Sequence, residues 1–491
     1  MDNILYQSTR GSARKVTASE AILRGLAEDG GLYVPERIPD LPASPEELSR
    51  LSYRELSYEI LSRYLTDYSE ADLKRCIDSA YDSKFDDPQI APLHATAGAA
   101  YLELYHGSTI AFKDMALSIL PYLMTTAAKM NRDDHQIVIL TATSGDTGKA
   151  ALAGFADVPG TKIIVFYPKH GVSRIQELQM VTQTGENTCV AGIEGNFDDA
   201  QTGVKQIFSD RELNERLDAA GSRLSSANSI NIGRLVPQIV YYIYGYGQML
   251  RQGLVTPDRP IDVTVPTGNF GNILAAWYAR AMGLPIRHLI CASNENRVLY
   301  DFFGTGAYDR NREFYVTSSP SMDILVSSNL ERLLYLTDGC NPDGVRMRMQ
   351  QLQETGRYTI SDEMRRGMEM FRAGYATQEQ TALEIGRVWR EYGYLIDPHT
   401  AVASYVCRQS GGEVPQLIVS TASPYKFPRA VLEAIGTAAE GTEDLKLSSL
   451  LSGKTGTVVP EAVRSLEGAP IRHERVIDPA AMKILVEKEI L

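Results

Sequence analysis

The stretch Gln136-Ile137-Val138-Ile139-Leu140-Thr141-Ala142-Thr143-Ser144-Gly145-Asp146-Thr147-Gly148-Lys149-Ala150 is an apolar run, a hydroxyl- and glycine-rich turn, and the start of a helix. The aliphatic block at 137–140 suits a strand buried on both faces, as strands of a parallel sheet are. The same rhythm recurs on either side. Upstream, an apolar run at 100–104 leads into a helix predicted over about 113–130. Downstream, 161–167 leads into a helix through 173–184, and 187–193 into a helix from Phe197. Further on, 261–265 precedes a helix from Asn272, and 286–291 follows. This alternation predicts an α/β fold, and its length fits two parallel sheets better than one.

The flanks read differently. Leu48, Leu51, Leu56, Ile60, Leu61 and Tyr64 recur at mostly three- to five-residue spacing, which predicts a mostly helical N-terminal domain over 1–95. Next come a larger α/β domain of 96–130 with 231–436, and a smaller one of 131–230. Segments 323–355 and 361–392 read as helical. The charged tail, 437–491, is expected to form helices on the outside.

Composition narrows the function. The chain has 491 residues, a net charge of −12 and 44% hydrophobic residues, as an ordinary folded protein does. The acidic balance disfavours nucleic acid or an anionic membrane as a partner. No apolar run approaches the ~18 residues that span a bilayer, and the first residues lack the pattern of a signal peptide. The five cysteines are far apart, so disulfides are not expected and a cytoplasmic setting is. Without CxxC or HExxH, no metal site is expected.

In an α/β fold, ligands gather where strands end and helices begin, and four such loops stand out. In His106-Gly107-Ser108-Thr109-Ile110-Ala111-Phe112-Lys113-Asp114, the lysine opens a helix. The helix dipole disfavours a cation there by ~0.3–1 kcal/mol. Phe112 and Met115 would desolvate the amine further, lowering its pKa as an imine-forming lysine requires. Position alone also fits an ordinary solvated lysine. The loop from Thr143 to Lys149 could hold a carboxylate or phosphate, or be a plain capped helix start. It is no nucleotide-binding P-loop, because Thr143 and Ala150 replace the required glycine and hydroxyl residue. In Pro266-Thr267-Gly268-Asn269-Phe270-Gly271-Asn272 two glycines allow close backbone approach, and one phosphate is favoured over a dinucleotide. The fourth, Ser420-Thr421-Ala422-Ser423-Pro424-Tyr425-Lys426-Phe427, says little alone.

Together and in this order, AFKD, SGDTG, PTGNFGN and STASPYKF resemble the threonine synthases, which are fold-type-II pyridoxal-phosphate enzymes. Tyr6-Gln7-Ser8-Thr9-Arg10-Gly11 and Asp29-Gly30-Gly31-Leu32-Tyr33-Val34-Pro35 also look like that family's N-terminal part. The resemblance covers residues 1 to about 430 and suggests the longer, bacterial/fungal-type form. It implies the tryptophan synthase β-like arrangement, with two parallel-sheet domains and a helical N-terminal domain.

The family implies roles residue by residue. Lys113 would be the Schiff-base lysine and later the mobile base. Gly268, Asn269, Phe270, Gly271 and Asn272 would cradle the cofactor phosphate, and Thr421 would hydrogen-bond the pyridine nitrogen. Ser144, Gly145, Asp146, Thr147 and Gly148 would receive the substrate carboxylate. Asn196, Asn228, Ser229, Asn231 and Arg234 would hold the substrate phosphate, Arg234 supplying a guanidinium suited to a phosphate fork. Two positions depart from the family: Asn272 replaces its usual Asp and Ser423 its usual His. The implied reaction converts O-phospho-L-homoserine and water to L-threonine and phosphate, in a monomer or homodimer. Alternatives are another fold-type-II enzyme, such as a threonine dehydratase or cysteine synthase, and a non-catalytic anion-binding protein.

Overall fold

The computed structural model describes residues 3–143, 145–412 and 414–491. Its strands form two main sheets. The larger has six strands in the order Phe371–Tyr375, Ile286–Ser293, Ile261–Pro266, Gln416–Ser420, Ala99–Glu103 and Leu93–Thr96. All neighbours run parallel except the last pair. The five-stranded sheet runs Val476–Ile477, Thr188–Ile193, Thr161–Pro168, Gln136–Ala142 and Ser222–Ser225, all parallel. The central strands Ile261–Pro266 and Gln416–Ser420 are buried at every residue, including the polar Asp262, Thr264, Gln416 and Ser420.

The N-terminal part supplies helices Ala18–Arg24, Tyr53–Tyr64 and Glu70–Ala80, plus an antiparallel pair, Tyr6–Ser8 with Tyr33–Pro35. Leu93–Thr96 lies across the boundary drawn at residue 95 and belongs to the larger sheet. The 20-residue helix Ile232–Arg251, buried along nearly its whole length, packs on Gly271–Ala281 and Tyr53–Tyr64 and carries Arg234 in its first turn.

Three segments differ from expectation. The helix read over 113–130 is two helices, Asp114–Leu117 and Leu120–Met130, the second with Pro121 in its first turn. Segment 361–392 contains the strand Phe371–Tyr375 between helices Asp362–Gly367 and Gln378–Tyr392. The tail does more than cover the outside. Val476–Ile477 extends the smaller sheet, and helix Met482–Ile490 buries Met482, Leu485 and Val486 in one core with Val138 and Ile164. Among the described residues, no helix is long and apolar enough to cross a membrane.

Candidate active site

Hydrogen bonds between two adjacent strand ends set the position of Lys113. Ala99–Glu103 and Gln416–Ser420 are parallel neighbours, and the loops beyond them pair again. The Phe112 N–H donates to Thr421 O at 2.8 Å, the Ser423 N–H donates to Ile110 O at 3.1 Å, and Ala111 bridges Ala422. The buried Asp114 shapes the loop by accepting from the Thr109 N–H at 2.8 Å and from Thr109 Oγ1 at 2.5 Å. The first and fourth loops of the sequence reading therefore form one unit.

The Lys113 side chain is 12% exposed, with Nζ 3.2 Å from Ser321 Oγ, 3.5 Å from Asp146 Oδ2 and 5.0 Å from the Phe112 ring centre. Burial pushes its pKa down. Asp146 opposes that, while the nearby cations Lys426 and Arg234 reinforce it. The expected contribution of a helix dipole is small, because the helix that follows has four residues.

Asp146 is the hub of this cluster. Oδ1 lies 2.7 Å from Lys426 Nζ and accepts from Gln176 Nε2 at 2.9 Å, and Oδ2 accepts from Ser321 Oγ at 2.8 Å. Burial alone would raise its pKa, but Lys426, Lys113 and Lys149 hold it well below the usual carboxylate range. Gly145 permits the approach. It has φ +136°, and a Cβ there would meet Gln176 Nε2 at 2.5 Å. Lys149, also buried, has no hydrogen-bond partner for Nζ among the described residues. Burial, then Lys426, pushes its pKa far down.

This alters the expected role of the second loop. The Asp146 carboxylate, engaged by lysines, cannot itself receive a substrate carboxylate. The Gly145 and Gly148 amides both donate to Thr143 Oγ1 at 3.0 Å, leaving the half-buried Thr147 side chain as the loop's freer donor. Ser144 lies outside the described residues.

The third loop is built for a different purpose. Phe270 takes a left-handed φ of +66° where strand turns to helix. Ser327 Oγ donates to Gly268 O at 2.7 Å, and the Asn329 N–H and Nδ2 donate to Asn269 O at 3.1 and 3.0 Å. The carbonyls are thus tied back, while no acceptor among the described residues takes the amide protons of Gly268, Asn269, Phe270 or Gly271. A Cβ on Gly268 would meet Ser321 O at 2.5 Å, so the chain passes the serine closely. Tyr241 and Tyr242 hydroxyls donate to Asn272 Oδ1 at 2.6 and 2.5 Å, and the buried Nδ2 has no partner. The Thr421 hydroxyl likewise makes no hydrogen bond among the described residues.

The five residues expected at the substrate phosphate separate. Arg234 is 3% exposed, donates Nη1 to Ala227 O at 2.7 Å, and leaves Nε buried without a partner. No acid pairs with it among the described residues. Burial lowers its pKa to about 10, so it stays charged at neutral pH. Asn228 and Ser229 lie on the preceding loop, and Asn228 lines a cavity of about 630 Å³ with Ile230 and Ser327. Asn231 serves the fold instead. Its Oδ1 caps the helix through the Gly233 N–H at 2.8 Å, and Nδ2 holds Ile22 O at 2.9 Å. Asn196 is an exposed N-cap in a capping box with Asp199, and no hydrogen bond joins it to Lys113 or Arg234.

Sequence reasoning assigned no role to Lys426, Gln176, Ser321 or His399. Lys426 stood in a quoted motif, and its fully buried side chain is what pairs with Asp146. His399 Nε2 accepts the Ser321 N–H at 3.2 Å, and Nδ1 lies 2.7 Å from Asp397 Oδ2. Asp397-Pro398 was legible as a helix start, but nothing local pointed to residue 321.

Three family models match: "Threonine synthase N terminus" over residues 5–81, "Pyridoxal-phosphate dependent enzyme" over 94–423, and "Threonine synthase, C-terminal" over 400–486. Threonine synthase-like 1 of Macaca fascicularis is 41% identical over 86% of this chain and 59% of its own length. The chain thus spans about three fifths of that relative. Threonine synthase of Pseudomonas aeruginosa is 39% identical over 88% of this chain and 91% of its own. The structure of a PLP-bound threonine synthase from Brucella melitensis superposes with a TM-score of 0.87, at 36% identity over 99% of both chains.

Proposed function

We propose that this chain, which belongs to the threonine synthase family of pyridoxal-phosphate-dependent enzymes, converts O-phospho-L-homoserine and water into L-threonine and phosphate. One observation carries the reading: a largely buried lysine, its pKa pushed down by burial, lies within electrostatic reach of a buried arginine that lacks an acid among the described residues. A buried, unpaired guanidinium is costly until an anion joins it. A second phosphate site is also what separates this activity from other fold-type-II chemistries.

The residues fit the cofactor. Unclaimed amides at Gly268–Gly271 and the free Nδ2 of Asn272 make a donor-lined cradle. Lys113 would hold the aldehyde end through Nζ, and Gly268, Asn269, Phe270, Gly271 and Asn272 the phosphate. The free hydroxyl of Thr421 would bond the ring nitrogen and leave it unprotonated. Pyridoxal phosphate supplies, when bound, an electron sink for carbanionic chemistry.

The protein's own groups do the rest. Lys113 Nζ, whose pKa burial lowers, takes protons from substrate Cα and Cβ and returns protons at Cγ and Cα. Arg234, with Asn228 and Ser229, holds the substrate phosphate and keeps holding it as it leaves Cγ, while water adds at Cβ. The Thr147 side chain, the loop's freer donor, orients the substrate carboxylate. Asp146 and Lys426 pair with each other beside Lys113, so the carboxylate's charge is largely met by Lys426. Four of the five free thiols are buried, which supports a reducing cytoplasmic setting for a monomer or homodimer.

The test is chemical. The purified chain with pyridoxal phosphate should release inorganic phosphate from O-phospho-L-homoserine and form threonine in equal amount. A keto acid formed from threonine, with no phosphate released from phosphohomoserine, would instead mark a dehydratase.

A further inference from the structure

Ser321 lies on the 3-10 turn Pro320–Met322, far in sequence from every loop that carries a family motif. The turn is fixed from two sides. His399 Nε2 accepts the Ser321 N–H at 3.2 Å, and the imidazole is held by the buried Asp397 at 2.7 Å from Nδ1. On the other side, Asp323 accepts from Asn294 Nδ2 at 2.7 Å, Asn296 Nδ2 at 3.0 Å and the Thr317 N–H at 2.9 Å. A serine so placed is not free to wander.

Its hydroxyl bridges two groups whose direct contact is long, 3.5 Å. Ser321 Oγ donates to Asp146 Oδ2 at 2.8 Å, which turns its lone pairs toward Lys113 Nζ at 3.2 Å. Lys113 and Asp146 themselves stand 3.5 Å apart, longer than a charge-assisted contact of ~2.8 Å. We propose that Ser321 is the positioning residue for the reactive amine: its hydroxyl is the resting acceptor for Lys113 Nζ and keeps the amine from closing onto Asp146. This rests on the reading that Lys113 is the reactive lysine.

A neutral acceptor suits an amine that must alternate between bound and free states. A direct ion pair with Asp146 would favour the ammonium, which can neither attack an aldehyde nor take a proton. The other charged groups facing Lys113 are Lys426 and Arg234, and both act against the ammonium. Among the described residues, Asp146 is thus the neighbour able to restore the charge, and Ser321 contacts both groups.

The test uses the full-length chain, freed of cofactor, as wild type, Ser321→Ala and Ser321→Thr. The rate at which added pyridoxal phosphate becomes attached is followed by absorbance from about pH 6 to 10. In parallel, methylation of Lys113 by formaldehyde and cyanoborohydride is quantified by peptide mass. Ser321→Ala should move the midpoint of both profiles upward by about one pH unit, as Lys113 closes onto Asp146. Ser321→Thr, which keeps the hydroxyl, should restore the wild-type midpoint. An unmoved or lowered midpoint in Ser321→Ala, with or without a change in melting temperature, would overturn the proposal. If wild-type Lys113 never takes up the cofactor, the assignment of the reactive lysine fails instead, and the two failures are told apart.

Discussion

The turn from Thr143 to Lys149 and the turn from Thr267 to Asn272 look alike in sequence: each follows a buried strand, carries glycines and hydroxyls, and opens a helix. Their interiors differ. At the second, carbonyls are tied back by Ser327 and Asn329, and amide donors together with Asn272 Nδ2 are left unclaimed. At the first, an aspartate fills the helix start and two of the loop's amides turn onto Thr143. Lysines 113, 149 and 426 converge on that aspartate. One turn awaits an anion and the other already contains one. A glycine-rich helix start therefore says that an anion fits, but not whether the protein supplies it.

The largest expected effect separates the three lysines. Lys113→Ala should abolish covalent attachment of the cofactor and lower phosphate release by on the order of 10³-fold or more, with the fold retained by circular dichroism. Asp146→Ala tests the filled turn. Removing one carboxylate leaves the buried Lys426 without its partner and the neighbouring Lys113 and Lys149 without a compensating charge, and unfolding in urea should report a loss of about 3–5 kcal/mol. Because its folded pKa is depressed, Asp146 contributes stability that is present above the unfolded carboxyl range and lost as pH falls through the folded value. The wild type should therefore lose more stability than Asp146→Ala on acidification.

Arg234→Ala probes the phosphate that arrives with the substrate. It should raise KM for phosphohomoserine about 10- to 100-fold while cofactor binding changes little, as loss of a charge-assisted bond requires. Asn272→Leu makes the complementary cut at the open turn. Cofactor affinity, read by fluorescence titration, should fall roughly fivefold, the size of one neutral hydrogen bond. If Arg234→Ala weakened the cofactor and Asn272→Leu the substrate, the two sites would have to be exchanged.

A smaller effect concerns the anchor of the lysine loop. His106 is held between Asp86 Oδ1 at 2.6 Å and Glu103 Oε2 at 2.9 Å. Burial alone would lower its pKa, but the two carboxylates raise it to about 9. Its contribution is complete below the unfolded value near 6.5 and disappears as pH rises through about 9. Melting temperature should fall over that window by a few degrees in the wild type and less in His106→Gln.

What the sequence disclosed follows from range. The strand–loop–helix units, the lysine at 113 and the donor-rich turn at 268–272 are local patterns, and the structure has them as units. The strand Phe371–Tyr375 was read as helix because it has five residues between two helices, and its pairing partner Ile286–Ser293 is remote in sequence. Val476–Ile477 has two residues and no periodicity to detect. In the site, Asn231 and Asn196 carry the residue type of a ligand yet serve as helix caps, a use the sequence shows equally well. Lys426 and Ser321 act on Lys113 only because separate strand ends and turns meet, and a buried charge declares its partner only after packing.

The most direct measurement is a peptide map. The chain is incubated with pyridoxal phosphate, reduced with borohydride, digested and analysed by mass spectrometry. The predicted result is one phosphopyridoxyl addition, on Lys113, whose amine faces a neutral hydroxyl. An addition on Lys149 or Lys426, or none at all, would contradict the account.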